Sequence, residues 1–592
     1  MTFDDIRGGN ISGRTALLGL LILCCLTLLP FLGLAEFNSK GEPREAVVAF
    51  SMLQQNDWLL PVNNGGEIPY KPPFFHWLVA LCGLLTGGVG EYASRLPSAL
   101  ALIGLTLVTY RFFLHRRGIA FALTAALLTF TAWELHRAGM NCRVDMVLTF
   151  FTVTAIFLLY RWAITKSMHR VPWLAILMMS CATLTKGPVG IIVPCLAVGI
   201  FLLMRGVNFF KAFIWLALWG VMSLIIPAIW YVAAYARGGE EFLSLVLEEN
   251  FGRMTNTMSY DSCVHPWPYN IGVFLAGWIP WTLAAILTLF ALRRNDFRSH
   301  AEGVWKRFRS MRSDTLLCVV AAVAIFVFYC IPQSKRSVYL MPCYPFVAGL
   351  LTILFHWAAE RKKAIMLIFG DIMAALAVVL FIAFITLKTT DLPASLFGQG
   401  RHGAINLLTV NLIRESGVMA WVWMLFAPAA ACAWWGALRK RVTANEVAAS
   451  IAVIVTAIYI AIAGSAQPAA LNAKSQLPLA LEIEARFPGI SAVSYHSNDN
   501  PQPLKLYEFI SDGVFAKGDP VHFFEINFYL GNVIGNFYKD RPAEGILLLD
   551  EEDAHNFLPQ FREEGYQFEQ QWQSRDPRLR TQLQIYQFKI EK

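Results

Sequence analysis

Charge is scarce in this chain. Of 592 residues, 15% are Asp, Glu, Lys or Arg while 56% are hydrophobic, and the mean hydropathy is +0.49. A single water-soluble globule is excluded, because no polar shell of that size could cover so much apolar surface. The eleven cysteines stand mostly singly inside apolar runs, with neither a disulfide framework nor zinc-type spacing, and read as small packing residues. A nucleophile-elbow motif is also missing, which argues against a covalent enzyme intermediate. No internal repeat of the kind that builds transporters is evident.

Long apolar runs are abundant. Reading for roughly 17 to 25 consecutive apolar residues gives about thirteen transmembrane spans. They begin near Thr15, Leu96, Ile119, Met146, Val171, Val189, Phe213, Ile271, Leu316, Val338, Ala364, Gly417 and Val447. The first run lacks a small-residue cleavage site and reads as a retained span. Arg116 and Arg117, Arg161 with Arg170, Arg205 with Lys211, Arg293 to Arg312, Arg361 to Lys363 and Arg439 to Arg441 fall in every second connection. Such alternation places the N terminus in the cytoplasm and, with an odd number of spans, the C-terminal region outside. The chain therefore divides into a membrane domain, 1–465, and a soluble external domain, 466–592. From Gln467 onward the net charge is −6, leaving +14 on the membrane part of a chain whose total is +8. That positive balance fits anchoring to the inner leaflet rather than nucleic acid. The tail mixes short apolar runs such as "SAVSYHS" and "GILLLD" with a helical stretch after Asp550, the pattern of a small α/β domain.

Ionisable residues at a membrane edge are where function is usually written, and four external places hold them. In "KGEPREAVVAFSML", Glu42, Arg44 and Glu45 open a helix whose apolar residues Val48, Met52 and Leu53 share a face, as in a helix lying on the membrane surface; helix capping is the plainer alternative. In "NNGGEIPYKPPFFHW", Lys71 precedes two prolines suited to start a helix, so a cation stands beside a helix N terminus, an arrangement that favours a bound phosphate. A snorkelling lysine accounts for the cation but not for the prolines. In "HRAGMNCRVDMVLTFF", Asp145 is either an N-cap or a carboxylate available for general-base work. In the later loops, Arg253, Lys335 and Tyr339 are candidates for contacting phosphate or substrate. His265 has no second histidine nearby, which leaves it a weak metal candidate.

Taken in order, "EPREAVVAFSML", "NDWLLPVNNGGEIPYKPPFFHWL", "RVDMVLTFF", "TLTKGPVG", "HPWPYNIGVFLAGWIPW" and "SKRSVYLMPCYP" resemble the aminoarabinose transferase and protein O-mannosyltransferase superfamily of GT-C glycosyltransferases, over roughly the first 360 residues. The resemblance implies a polytopic α-helical membrane enzyme of the bacterial inner membrane, with juxtamembrane helices in its first external loop and a periplasmic C-terminal domain. It implies inverting transfer of a sugar from a polyprenyl-phosphate carrier, such as undecaprenyl phosphate, to a lipid, glycan or protein acceptor. No cofactor is required; a divalent metal occurs in relatives that have an acid directly before the lysine, where this chain has Tyr70. Lys71 matches the lysine expected to hold the carrier phosphate, with Arg44, Arg253, Lys335 and Tyr339 around phosphate or substrate. Asp145 matches the acid heading the fourth span. The family's usual Asp-Glu pair is Gly41-Glu42 here, so the base is to be sought among Glu42, Glu45 and Asp145. A lipid-linked-sugar transporter or flippase, or a glycan ligase using lipid-diphosphate donors, is the alternative.

Overall fold

The computed structural model describes residues 12–69, 71–165, 170–252, 264–291, 310–490, 505–509 and 521–590. Arg253 and the strand expected at "SAVSYHS" lie outside them.

The protein is a multi-pass helical membrane protein carrying one small sheet. Six described helices are long and apolar enough to cross a bilayer, or up to ten if each sharply bent pair counts as one span. Helices Trp173–Lys186 and Val189–Met204 are apolar but shorter. They are joined by Gly187 and Pro188, where Gly187 takes φ +81°; a Cβ there would sit 2.5 Å from Asn250 Oδ1. The spans expected at Val338 and Ala364 fall in the helical stretch Tyr344–Thr389, which is two helices meeting at a kink at Lys362 (φ −143°, ψ 65°). The break falls in the charged Arg361–Lys363 stretch, where the chain leaves its apolar surroundings.

The first connecting segment holds helix Gly41–Gln55, ended by Asn56 in the left-handed region, and helix Phe74–Thr86, which follows Pro72 and Pro73 directly. The first of these was expected on the membrane surface. Instead Ala46, Val47, Val48, Ala49 and Met52 are fully buried. Its apolar face, read correctly from the spacing, packs against protein rather than lipid.

The C-terminal sheet has five strands: β1 (Leu506–Glu508), β2 (Gly535–Asn536), β3 (Glu544–Asp550), β4 (Tyr566–Gln573) and β5 (Leu583–Ile590). Their order is β2-β1-β3-β5-β4, with β1 parallel to both neighbours and the β3/β5 and β5/β4 pairs antiparallel. "GILLLD" supplies β3, buried along its whole length after Glu544. Asp550 then caps helix Glu551–Glu563 by accepting a hydrogen bond from Asp553 N, 2.8 Å away, the device expected of Asp at that position. Short helix Phe524–Tyr529 leaves the sheet and docks on helix Gly41–Gln55, with Phe528 edge-on to Phe37 (4.8 Å between centroids) and to Phe50 (6.2 Å).

Candidate active site

Glu42 and Glu45 lie one turn apart on helix Gly41–Gln55 and both are 4% exposed, yet they face different partners. Glu42 makes a two-pronged pair with Arg95, Nε to Oε1 at 2.9 Å and Nη2 to Oε2 at 3.1 Å. Its Oε1 also accepts from the backbone N–H of Cys142 at 2.9 Å. Arg95 in turn donates to the carbonyls of Leu32 and Ala35. Both carboxylate oxygens of Glu42 are therefore committed to joining three segments, and as a candidate base it gives way to the other two acids.

Glu45 gathers three basic side chains. Its Oε1 pairs with Lys71 Nζ and, at 3.2 Å, with Arg44 Nη2; its Oε2 lies 2.9 Å from His76 Nε2. Burial by itself would raise the Glu45 pKa, but the adjacent Lys71 charge, the His76 hydrogen bond and Arg44 hold it well below the usual carboxylate range. Burial lowers Lys71 to about 8 even with Glu45 beside it. Helix Phe74–Thr86 thus contributes His76 one turn after the prolines that place Lys71. The sequence reading passed over His76 because a lone histidine in an apolar run carries no distinctive pattern.

Asp145 stands at the start of helix Val144–Ile164 and pairs through Oδ1 with Lys186 Nζ. Lys186 Nζ lies 4.1 Å from the centroid of the Tyr339 ring, a cation–π distance. Lys186 was also missed as a site residue, although "TKGP" repeats the logic of "YKPP": a lysine just ahead of a proline-started helix.

Lys71, Asp145, Lys186 and Tyr339 line a cavity of about 430 Å³. Its lining also includes Arg143, Arg336 and Glu249, together with the apolar Val189, Ile192, Phe328 and Ile331. A second cavity of about 220 Å³ adjoins it, lined by Arg137, Asn141, His265 and Lys335 among others. Arg143, Asp145 and Arg336 line both, so Asp145 sits in the wall between the two. Arg143 and Arg336, from the loop motifs "HRAGMNCRVDMVLTFF" and "SKRSVYLMPCYP", add two further cations. Arg143 reaches its place because position 41 is glycine: a Cβ there would run into its guanidinium.

Of the expected residues, Lys71, Tyr339 and Asp145 line the larger cavity and Lys335 the smaller. Arg44 stands behind them on Glu45. Lys335 is 5% exposed and spends its ammonium partly on the Pro332 carbonyl, 2.6 Å away. His265 stacks on Tyr269 with centroids 4.0 Å apart. Among the described residues no three His, Cys, Asp or Glu side chains converge to hold a metal ion.

Residues 70–231 match the family of dolichyl-phosphate-mannose-protein mannosyltransferases. The chain is 28% identical over 377 residues to an uncharacterised protein of Aquifex aeolicus, covering 62% of this chain and 70% of that one. It is 25% identical over 338 residues to the undecaprenyl phosphate-alpha-4-amino-4-deoxy-L-arabinose arabinosyl transferase of Shewanella sediminis, covering 55% of this chain and 56% of the relative. Among the curated relatives, the alignment therefore spans between about half and 70% of the relative's length. The structure superposes on crystalline ArnT from Cupriavidus metallidurans bound to undecaprenyl phosphate with a TM-score of 0.66, covering 96% of this chain and 97% of the other at 18% identity. The fold is that of a polytopic GT-C protein.

Proposed function

We propose that this membrane-embedded glycosyltransferase of GT-C type moves a sugar from a polyprenyl-phosphate donor to a hydroxyl-type acceptor, with the phosphate held by Lys71, Arg143, Lys186 and Arg336 and with Asp145 as general base. The observation that carries the reading is the lining of the larger cavity, which combines the cations Lys71, Arg143, Lys186 and Arg336 and the carboxylates Asp145 and Glu249 with apolar side chains suited to prenyl units. A lipid phosphate joins the same two characters.

The chemistry follows from the charges. As the bond between the anomeric carbon and the phosphate oxygen breaks, its electron pair stays on the phosphate, and fixed cations shielded from water stabilise that growing charge. The acceptor hydroxyl attacks the opposite face of the anomeric carbon and its proton passes to a carboxylate within hydrogen-bond reach. One displacement inverts the configuration and needs no enzyme nucleophile. Asp145 is favoured over Glu45 because it lines both cavities, so it can meet donor and acceptor together; the smaller cavity then serves the acceptor. Glu45, with both oxygens engaged, orients Lys71.

Alternating basic connections support a cytoplasmic N terminus in a bacterial inner membrane, with site and sheet domain on the periplasmic side. A transporter or a lipid-diphosphate ligase has no specific observation in its favour. The test is purified protein with polyprenyl-phosphate sugars, following release of free polyprenyl phosphate in wild type, Lys71→Ala and Asp145→Asn. Release abolished in both variants, with folding intact, is the expected result; near-normal release from Lys71→Ala sinks the phosphate assignment.

A further inference from the structure

The two halves of the Glu45–Lys71 pair come from separate segments, and the C-terminal domain is attached to both. On the helix that carries Glu45, Gln54 Nε2 donates to the Gly531 carbonyl at 2.8 Å and Gln54 Oε1 accepts from Asn532 Nδ2 at 3.0 Å. Nearby, Tyr529 Oη accepts from Phe37 N at 2.8 Å and lies 2.9 Å from Glu91 Oε1.

The turn that leads to Lys71 is held more tightly. Asn63 to Glu67 is a turn closed by Asn63 N donating to the Glu67 carbonyl at 2.8 Å, with Gly65 and Gly66 at φ +63° and +82°. Those values favour glycine over any residue with a Cβ. Asn64 reaches from this turn into the sheet domain. Its Nδ2 donates to Glu508 Oε1 at 3.1 Å and its Oδ1 accepts from Asn527 Nδ2 at 2.6 Å. Asn536 Nδ2 donates to Glu67 Oε1 at 3.0 Å. Each of these groups is also fixed from behind: Glu508 Oε2 accepts from Phe523 N, and Asn527 Oδ1 from Ile534 N, both at 3.0 Å. Asn64, Glu508, Asn527 and Asn536 are at most 2% exposed. A buried polar network of this kind is tolerated only when its members are satisfied, so it admits one register and resists sliding.

We propose that the C-terminal domain is a positioning element of the active site: through Asn527, Glu508 and Asn536 it grips the Asn63–Glu67 turn and thereby sets where Lys71 stands relative to Glu45 and the cavity. Only three residues separate Glu67 from Lys71, and Pro72 and Pro73 stiffen the far side. The lysine is therefore suspended between two fixed points, one of them supplied by the last part of the chain. Asn527 and Glu508 touch no substrate; they act through the turn.

This inference rests on the reading of Lys71 as the phosphate cation, and its test separates the two. In full-length protein, Asn64→Ala removes the grip from the turn side and Asn527→Ala from the domain side. The first readout is the pH profile of Lys71 modification by an amine-reactive reagent, followed by mass spectrometry, which does not depend on any donor. Lys71 faces Glu45, Arg44 and Asp145; a lysine released from that burial titrates higher, so the midpoint moves up by about one unit in each variant. The second readout is polyprenyl phosphate binding, expected to weaken about tenfold, the scale of one lost charge-assisted contact. The double variant is expected to do no worse than Asn64→Ala alone, because that substitution already removes the bond that Asn527→Ala would break at the turn. Melting temperature is followed alongside. Unchanged Lys71 midpoints in two folded variants overturn the proposal. A moved midpoint in a wild-type background that binds no polyprenyl phosphate upholds the grip and removes the donor reading instead.

Discussion

Glu42 and Glu45 share a helix and a level of burial and each pairs with a basic side chain, yet Glu42 meets an enclosed arginine and Glu45 a lysine that lines the larger cavity. The difference lies in what surrounds the partner. Arg95 is enclosed by backbone carbonyls and the carboxylate, and its pair with Glu42 joins the first span, the helix Glu91–Arg117 and the turn at Cys142. Lys71 borders an open cavity, so its pair with Glu45 leaves a cation that a ligand can reach. A buried ion pair with all its valences filled holds a structure together; one that borders a cavity can exchange partners.

The largest effect that would sharpen this contrast is chemical. Asp145→Asn is expected to lower kcat by about a thousandfold, within the range for loss of a general base, with the melting temperature held. If kcat falls equally in Glu45→Gln but hardly in Asp145→Asn, the base belongs to the first loop. Next comes Glu42→Gln, which strands the Arg95 charge. Breaking one side of a buried pair costs about 3 to 5 kcal/mol, so poor folding is expected, with turnover per folded molecule close to wild type. Strong inactivation of well-folded Glu42→Gln protein would collapse the distinction between the two acids.

Lys71→Ala is expected to weaken donor binding by about ten- to a hundredfold, the worth of a charge-assisted hydrogen bond. Titration gives a related check. Burial lowers the Lys71 pKa from the ordinary lysine value of 10.5 to about 8, so donor affinity should fall as pH rises through about 8. Its contribution to stability runs the other way. Between about pH 8 and 10.5 the unfolded chain binds a proton there that the folded one has lost, so stability from this group rises with pH across that window. A melting temperature and a donor affinity that move in the same direction there would contradict a buried Lys71.

The smallest effect is expected from Gly41→Ala. The new methyl displaces the flexible end of Arg143, so donor binding should change by about a few-fold, the scale of an adjusted rather than deleted contact. No change would mean that Arg143 has no part in the phosphate end of the cavity.

How far the chain could be read without coordinates varied with the physics. Apolar run length is a local property, and membrane helices declared themselves by it. Lys71 and Asp145 were legible because proline and helix starts constrain them locally. Lys186 and His76 were not, since their importance comes from meeting residues more than thirty positions away, and neither spacing nor composition records such a meeting. The helix beginning at Gly41 shows both sides. Its apolar face followed from periodicity, while what covers that face, Phe528 and its neighbours, is more than four hundred residues further along the chain.

By itself the sequence determined that this protein lives in a membrane, that it is built mainly of apolar helices followed by a small sheet, and that a lysine and an acid stand at helix starts. These are consequences of hydrophobicity, periodicity and proline stereochemistry, which act over a few residues. Only the tertiary structure decided which carboxylate is consumed in the scaffold, which faces both cavities, and that the C-terminal domain holds the turn before Lys71. Those outcomes depend on burial and on pairing across long chain separations, and such contacts exist only once the chain is folded.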